Sequence, residues 1–231
     1  MKVQVLPGSL AASLSTGRFT FKSLYTFGVP PQTLRAFVAL NFSPELRRAL
    51  AEAIAGLSRA TPNRAVQWVK ADNIHLTLKF LGDISANDAP KIAEALAASV
   101  HTVEPFQFTA AGLGCFPNPR KPRVVWAGVE EDGARKLIAL AEAVEAALNP
   151  LGYPPEERPF SPHITLGRVR RETPPPDAAR TGQAVAAQPA VRYGIESVNA
   201  IHLMKSDLQA GGSVYTTLHT AKLDKPAKLQ T

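Results

Sequence analysis

Two short segments repeat one another: His75-Leu76-Thr77-Leu78 and His163-Ile164-Thr165-Leu166. On an extended strand, residues two apart project to the same face, so each segment presents one imidazole and one hydroxyl together while its aliphatic residues fill the opposite, buried face. Two such strands brought side by side form a site with two histidines and two hydroxyls. Histidine titrates near pH 6.5, so one ring can hold a proton while the other accepts one near neutrality. Threonine hydroxyls donate hydrogen bonds to phosphoryl oxygens. The constellation is suited to phosphodiester chemistry by acid and base, without a metal.

These groups need a scaffold to hold them, and the 231 residues, 45% apolar and 19% charged, suffice for one large domain or two small intimate lobes. Cys115 is the only cysteine, so no internal disulfide forms and no Cys/His cluster holds zinc. The sequence therefore predicts no metal and no cofactor, and a reducing, cytoplasmic setting. No apolar run is long enough to span a bilayer, which predicts a soluble protein without a membrane partner. The net charge of +7 favours a polyanion such as nucleic acid or a phosphorylated small molecule. Lys2, Arg18 and Lys22 contribute three of those charges from an acid-free stretch, so the remainder is only mildly basic. Residues 1–33 lack a sustained period and read as a flexible extension; they are Arg-poor, and Pro7-Gly8-Ser9 interrupts any secretory-type segment. The domain is expected over 34–224, with 225–231 a C-terminal tail.

Within that domain, Arg35 to Leu40 suits a buried strand, and Ser43-Pro44-Glu45 opens a helix running to about Ser58. Strands are expected at Val66 to Lys70 and Ile74 to Leu81, a helix over Asn87 to Ser99, and strands at Phe106 to Gly112 and Arg123 to Val129. A long helix covers Glu131 to Leu148. His163 to Val169 is a strand, Pro174 to Gln188 irregular or weakly helical, and two last strands lie around Ile195 to Asp207 and Val214 to Lys222, joined at Gly211-Gly212. Strands and helices alternate without the regular rhythm of a doubly wound sheet, so the fold class is α+β.

Beyond the tetrapeptides, the chain resembles the two-histidine phosphoesterases, most closely the RNA 2',3'-cyclic phosphodiesterases also called 2'-5' RNA ligases. The resemblance runs roughly from Leu34 to Leu223: RAFVAL at Arg35 to Leu40, HLTLKFLG at His75 to Gly82, RVVWAGV at Arg123 to Val129, SPHITLGR at Ser161 to Arg168, LMKSDL at Leu203 to Leu208 and GGSVY at Gly211 to Tyr215. It implies two pseudo-symmetric lobes, each an antiparallel sheet backed by helices, with a central cleft. It also implies that an RNA end bearing a 2',3'-cyclic phosphate, or a small cyclic-phosphate nucleotide, lies between His75, the proton donor to the 3' oxygen, and His163, the proton acceptor from water. Thr77 and Thr165 would bond the non-bridging oxygens, and the product would be a 2'-phosphate. The enzyme is expected to act as a monomer. Two other functions remain open: cleaving or joining 2'-5' linked oligonucleotides at the same site, and binding RNA ends without catalysis.

Arg168 resembles the family's arginine after the second motif, where it would bind phosphoryl charge, yet on a flat strand it points away from His163. A bulge at Gly167 would re-aim it; otherwise it is a surface arginine. Lys79 is in phase with His75 and Thr77, and reads either as a cleft residue or as an exposed strand-end lysine. His101, His202 and His219 lack a threonine two residues on and read as structural or solvent-facing. Phe42, Phe116 and Trp126 either stack on a base or belong to the core. The loop bearing Arg120, Lys121 and Arg123 either grips an RNA backbone or is a solvated turn. Cys115 has no activating neighbour and reads as inert.

Overall fold

The computed structural model describes residues 32–210 and 212–224. The expected extension thus lies outside the described residues except for Gln32 and Thr33, and so does the expected C-terminal tail. β1 (Thr33–Asn41) opens the fold, followed by α1 (Pro44–Ala60), β2 (Val66–Trp68), β3 (His75–Ser85) and α2 (Ala89–Val100). Then come β4 (Phe106–Phe116), β5 (Val124–Val129), α3 (Glu131–Leu148), β6 (Ile164–Val169), α4 (Pro175–Ala186), β7 (Arg192–Val198), β8 (Ala200–Gln209) and β9 (Gly212–Lys222).

The strands form two sheets, ordered β3-β1-β8-β9 and β2-β6-β5-β4-β7, in which every neighbouring pair is antiparallel. Helices α2 and α3 pack on each other, α2 against β9 of the first sheet and α3 against both β3 of the first sheet and β4 of the second, while α1 and α4 lie against the second sheet. The architecture is α+β, as expected. Helix α1 shows how sequence chooses its element. The Ser43 hydroxyl accepts the Leu46 N–H at 3.3 Å, Pro44 occupies the first turn where no donor is needed, and Leu46, Leu50, Ile54 and Leu57 recur on one face that is buried. The inward faces of both sheets and all four helices share one apolar cluster, which includes Val38, Leu76 and Leu203 of the first sheet and Val125, Ile164 and Leu166 of the second.

The far face of the first sheet carries a second, smaller cluster of Phe37, Ala39 and Met204, with Tyr215 packed against it. These side chains alternate with the core residues Ala36, Val38 and Leu40 along β1, so they face away from the helices. They form a floor beside His75.

Two sequence expectations need correction. The single strand expected around Ile195 to Asp207 is two strands in different sheets: β7 pairs with β4, then the chain crosses at Asn199 and β8 pairs with β1 and β9. The stretch from Pro174 is a regular helix of 12 residues, because its prolines sit in the first turn, where the missing N–H costs nothing.

Candidate active site

His75 is the first residue of β3, and His163 immediately precedes β6. In both, the imidazole is held by the same local device. Nδ1–H donates to the carbonyl two residues earlier, Asn73 for His75 and Ser161 for His163, each at 2.7 Å. A carbonyl only accepts, so in the neutral ring the proton resides on Nδ1 and Nε2 is left as the base. The two sites then differ. His75 Nε2 lies 3.1 Å from the Thr77 hydroxyl, which donates to it in the neutral form. His163 Nε2 has no hydrogen-bond partner among the described residues.

Aromatic rings fix the imidazoles from the side. His75 lies 5.0 Å from the Phe37 ring and 5.1 Å, edge-on, from Tyr215. His163 stands edge-on to Phe116 at 5.0 Å, and Phe116 in turn packs on Trp126 at 5.1 Å. Phe116 and Trp126 thus buttress the site, whereas Phe42 is buried against Phe108 in the core. Trp126 lies opposite Thr165 in the ladder, and Gly114, across from Trp126, leaves the space the indole fills: an added Cβ there would lie 2.2 Å from the ring.

Arg168 reaches the site through a bulge. The register between β5 and β6 pairs Trp126 with Thr165 but Val125 with Gly167, so Leu166 is the extra residue. Gly167 turns to the core side against Val66 and Trp68, and Arg168 takes up the face of Thr165. Its positive charge bears on both histidines, lowering the pKa of each. Burial is the larger cause in both, disfavouring the imidazolium, and the backbone hydrogen bonds oppose it only in part. Both rings therefore titrate below the ordinary 6.5.

The same bulge occurs in β3. Ala39 pairs with Thr77 but Val38 with Lys79, leaving Leu78 as the extra residue. Lys79 is accordingly neither in the cleft nor exposed. It is 3% accessible and donates to the Pro154 carbonyl at 2.7 Å and to Glu145 of α3 at 3.3 Å. Phe80 instead emerges on the site face, 58% exposed and 6.3 Å from Phe37. The two halves thus read His75-x-Thr77-x-x-Phe80 and His163-x-Thr165-x-x-Arg168, an aromatic ring in one lobe where the other has a guanidinium. Phe80 and Phe37 escape a sequence reading because they sit in apolar runs whose alternation is hidden when both faces are apolar.

The remaining histidines are elsewhere. His101 caps α2 through the Ala98 carbonyl, His219 Nε2 is buried without a partner among the described residues, and His202 Nδ1 lies 3.0 Å from Thr220 across the β8–β9 ladder. The thiol of Cys115 is buried, and burial pushes its pKa up to about 11. Among the described residues, no three His, Cys, Asp or Glu side chains are grouped as metal ligands. None of the described helices is long and apolar enough to cross a membrane.

Two antiparallel sheets, each contributing one histidine–threonine strand to a site that also holds an arginine, define a two-histidine protein with pseudo-symmetric lobes. The chain belongs to the LigT-like phosphoesterase family, whose model matches residues 40–126 and 128–215. An RNA 2',3'-cyclic phosphodiesterase of Archaeoglobus fulgidus is 34% identical over 80% of this chain and 98% of its own length. A crystal structure from Thermus thermophilus superposes with a TM-score of 0.69 at 30% identity, covering 84% of this chain and all of that one. The crystal structure of E. coli LigT complexed with 3'-AMP gives 0.65 at 29% identity, covering 83% and 99% respectively.

Proposed function

We propose that this chain hydrolyses 2',3'-cyclic phosphate ends of RNA to 2'-phosphomonoesters, acting as a monomer. The observation that carries the reading is the pair of imidazoles, each with Nδ1 tied to a backbone carbonyl and Nε2 left for chemistry, under the charge of one arginine. Water attacks phosphorus as His163 Nε2 takes its proton; this nitrogen has no competing partner among the described residues. The bond from phosphorus to the 3' oxygen breaks, and protonated His75 supplies that oxygen with its proton. The step leaves His163 protonated and His75 neutral, and proton exchange with solvent restores both for the next turnover. Thr77 and Thr165 donate to the non-bridging oxygens, and Arg168 offsets the charge gathering on them. Phe80, at the position after Thr77 that matches Arg168 after Thr165, offers a flat exposed surface against which a terminal base can stack. The relatives' printed names and the 3'-AMP complex of LigT support the same substrate class.

Incubation with nucleoside 2',3'-cyclic phosphates, with and without chelator, tests this reading. Chelator-resistant formation of the 2'-phosphate is expected. A 3'-phosphate product would reverse the leaving-group assignment, and absence of turnover would remove the function.

A further inference from the structure

The charge of the molecule is concentrated at one end of the second sheet. There the α1–β2, β4–β5 and β6–α4 connections lie side by side, linked by hydrogen bonds from Val169 N to the Arg123 carbonyl at 3.0 Å and from Arg170 N to the Ala65 carbonyl at 2.9 Å. The three segments, 61–65, 117–123 and 168–174, contain Arg64, Arg120, Lys121, Arg123, Arg168, Arg170 and Arg171 but only one acid, Glu172. The described residues as a whole hold 21 Lys and Arg and all 19 Asp and Glu. This rim is therefore six charges positive while everything else described is four negative. All seven cations are exposed, and among the described residues only Arg170 has a carboxylate within reach, Glu172 at 4.0 Å.

The rim is rigid as well as basic. Asn118 Oδ1 accepts from the backbone N–H groups of Arg120 and Lys121 at 3.0 and 3.1 Å, and Pro122 is buried. Helix α4 seats the same loop so closely that a Cβ on Gly182 would lie 1.8 Å from the Pro119 carbonyl oxygen. Arg64 is held at φ 59, the left-handed region that a side chain seldom occupies, beside an open hollow of about 580 Å³ that Arg170 and Thr173 also line, together with the carboxylates of Glu172 and Asp177.

From this we infer that the rim is a track for the RNA strand on the 5' side of the reacting end, so that the preferred substrate is an oligoribonucleotide and not a free nucleotide. The inference rests on the proposed function. A cyclic phosphate terminates the strand at its 3' end, so the polyanion can leave the site in one direction only, and a one-sided rim beginning at Arg168 matches that demand. Contacts to phosphates carry affinity and orientation but no sequence preference.

The test compares a 2',3'-cyclic-phosphate oligoribonucleotide with a nucleoside 2',3'-cyclic phosphate, using the full chain and a triple variant, Arg64→Gly, Arg120→Gln and Lys121→Gln. Glycine suits the left-handed backbone at position 64, and the other two side chains are exposed, so the fold is retained; a thermal melt checks this. Between about 50 and 200 mM salt, kcat/KM for the oligomer should fall more steeply than for the nucleotide, by roughly 0.7 in log–log slope per phosphate held. The variant should flatten that slope by roughly 2 and raise the oligomer KM about tenfold, with nucleotide turnover unchanged. Parallel salt dependence of the two substrates, or an oligomer KM within about twofold of wild type in the variant, would overturn the track. Binding of an oligoribonucleotide ending in a 3'-phosphate, followed by anisotropy, reads the rim without catalysis. Salt-sensitive binding that the variant loses, in a protein that turns over no cyclic nucleotide, would support the rim and reject the reaction.

Discussion

At the residue scale, the side chains of the two motifs are equivalent but their surroundings are not. His75 Nε2 is engaged by Thr77, whereas His163 Nε2 has no partner among the described residues. Arg168 is the charge common to both rings and depresses the pKa of each. Because burial and that charge act in the same direction, the free protein's profile of kcat/KM should be centred on the acid side of 6.5. Replacing Arg168 by Gln removes the coulombic part, so both pKa values rise and both limbs move to higher pH, with a fall in kcat/KM of about 10²-fold or more. Arg168→Lys keeps the charge and should leave the limbs nearly in place. A profile unmoved by Arg168→Gln would separate the guanidinium from the histidines.

At the element scale, the deciding feature is a one-residue bulge directly after the threonine, at the matching position in each motif strand; β3 carries a second bulge further on, at Leu81. The duplicated tetrapeptides and the period-two rule were sufficient to pair His75 with Thr77 and His163 with Thr165. The rule fails two residues later, because a bulge reverses parity and leaves no compositional mark in β3. In β6, Gly167 supplied the hint, and Arg168 was legible as a bulge-dependent candidate; Lys79 and Phe80 carried no such hint, so the first was misplaced and the second missed. The β7–β8 crossover was hidden for a related reason: Val198-Asn199-Ala200 contains no Gly or Pro to mark the change of sheet. Two variants test the bulges. In Gly167→Ala, the new Cβ would lie 2.6 Å from Val66 Cγ1 and 2.7 Å from the Trp68 ring. The strand must shift, at a cost of about 1 to 3 kcal/mol, and kcat/KM should fall more than the lost stability explains because Arg168 is re-aimed. In Lys79→Ala, Glu145 loses its buried partner but keeps the Glu156 N–H at 2.9 Å and some exposure, so a loss of about 1 to 3 kcal/mol by urea unfolding is expected.

At the scale of the whole molecule, the +7 of the full chain is misleading. The described residues are nearly neutral and strongly polarised, and it is the one-sided rim, not the total, that fits a strand entering from one end. The half-buried histidines also tie stability to pH. His75, His163 and His202 all have folded pKa values lowered chiefly by burial, so the unfolded chain binds more protons than the folded one just below 6.5. The stability they confer is therefore complete above 6.5 and declines as pH falls through their lowered folded values. Melting temperature should drop on acidification from about pH 7.5 to about pH 5, and less steeply in His202→Asn. The most direct measurement of the central claim is the pH dependence of kcat/KM on a nucleoside 2',3'-cyclic phosphate for the wild-type chain, His75→Ala and His163→Ala. The expected result is a bell for the wild type, and for each variant a loss of about 10²- to 10⁴-fold with one limb removed. Turnover within about tenfold of wild type in either variant, with both limbs intact, would contradict two-histidine catalysis.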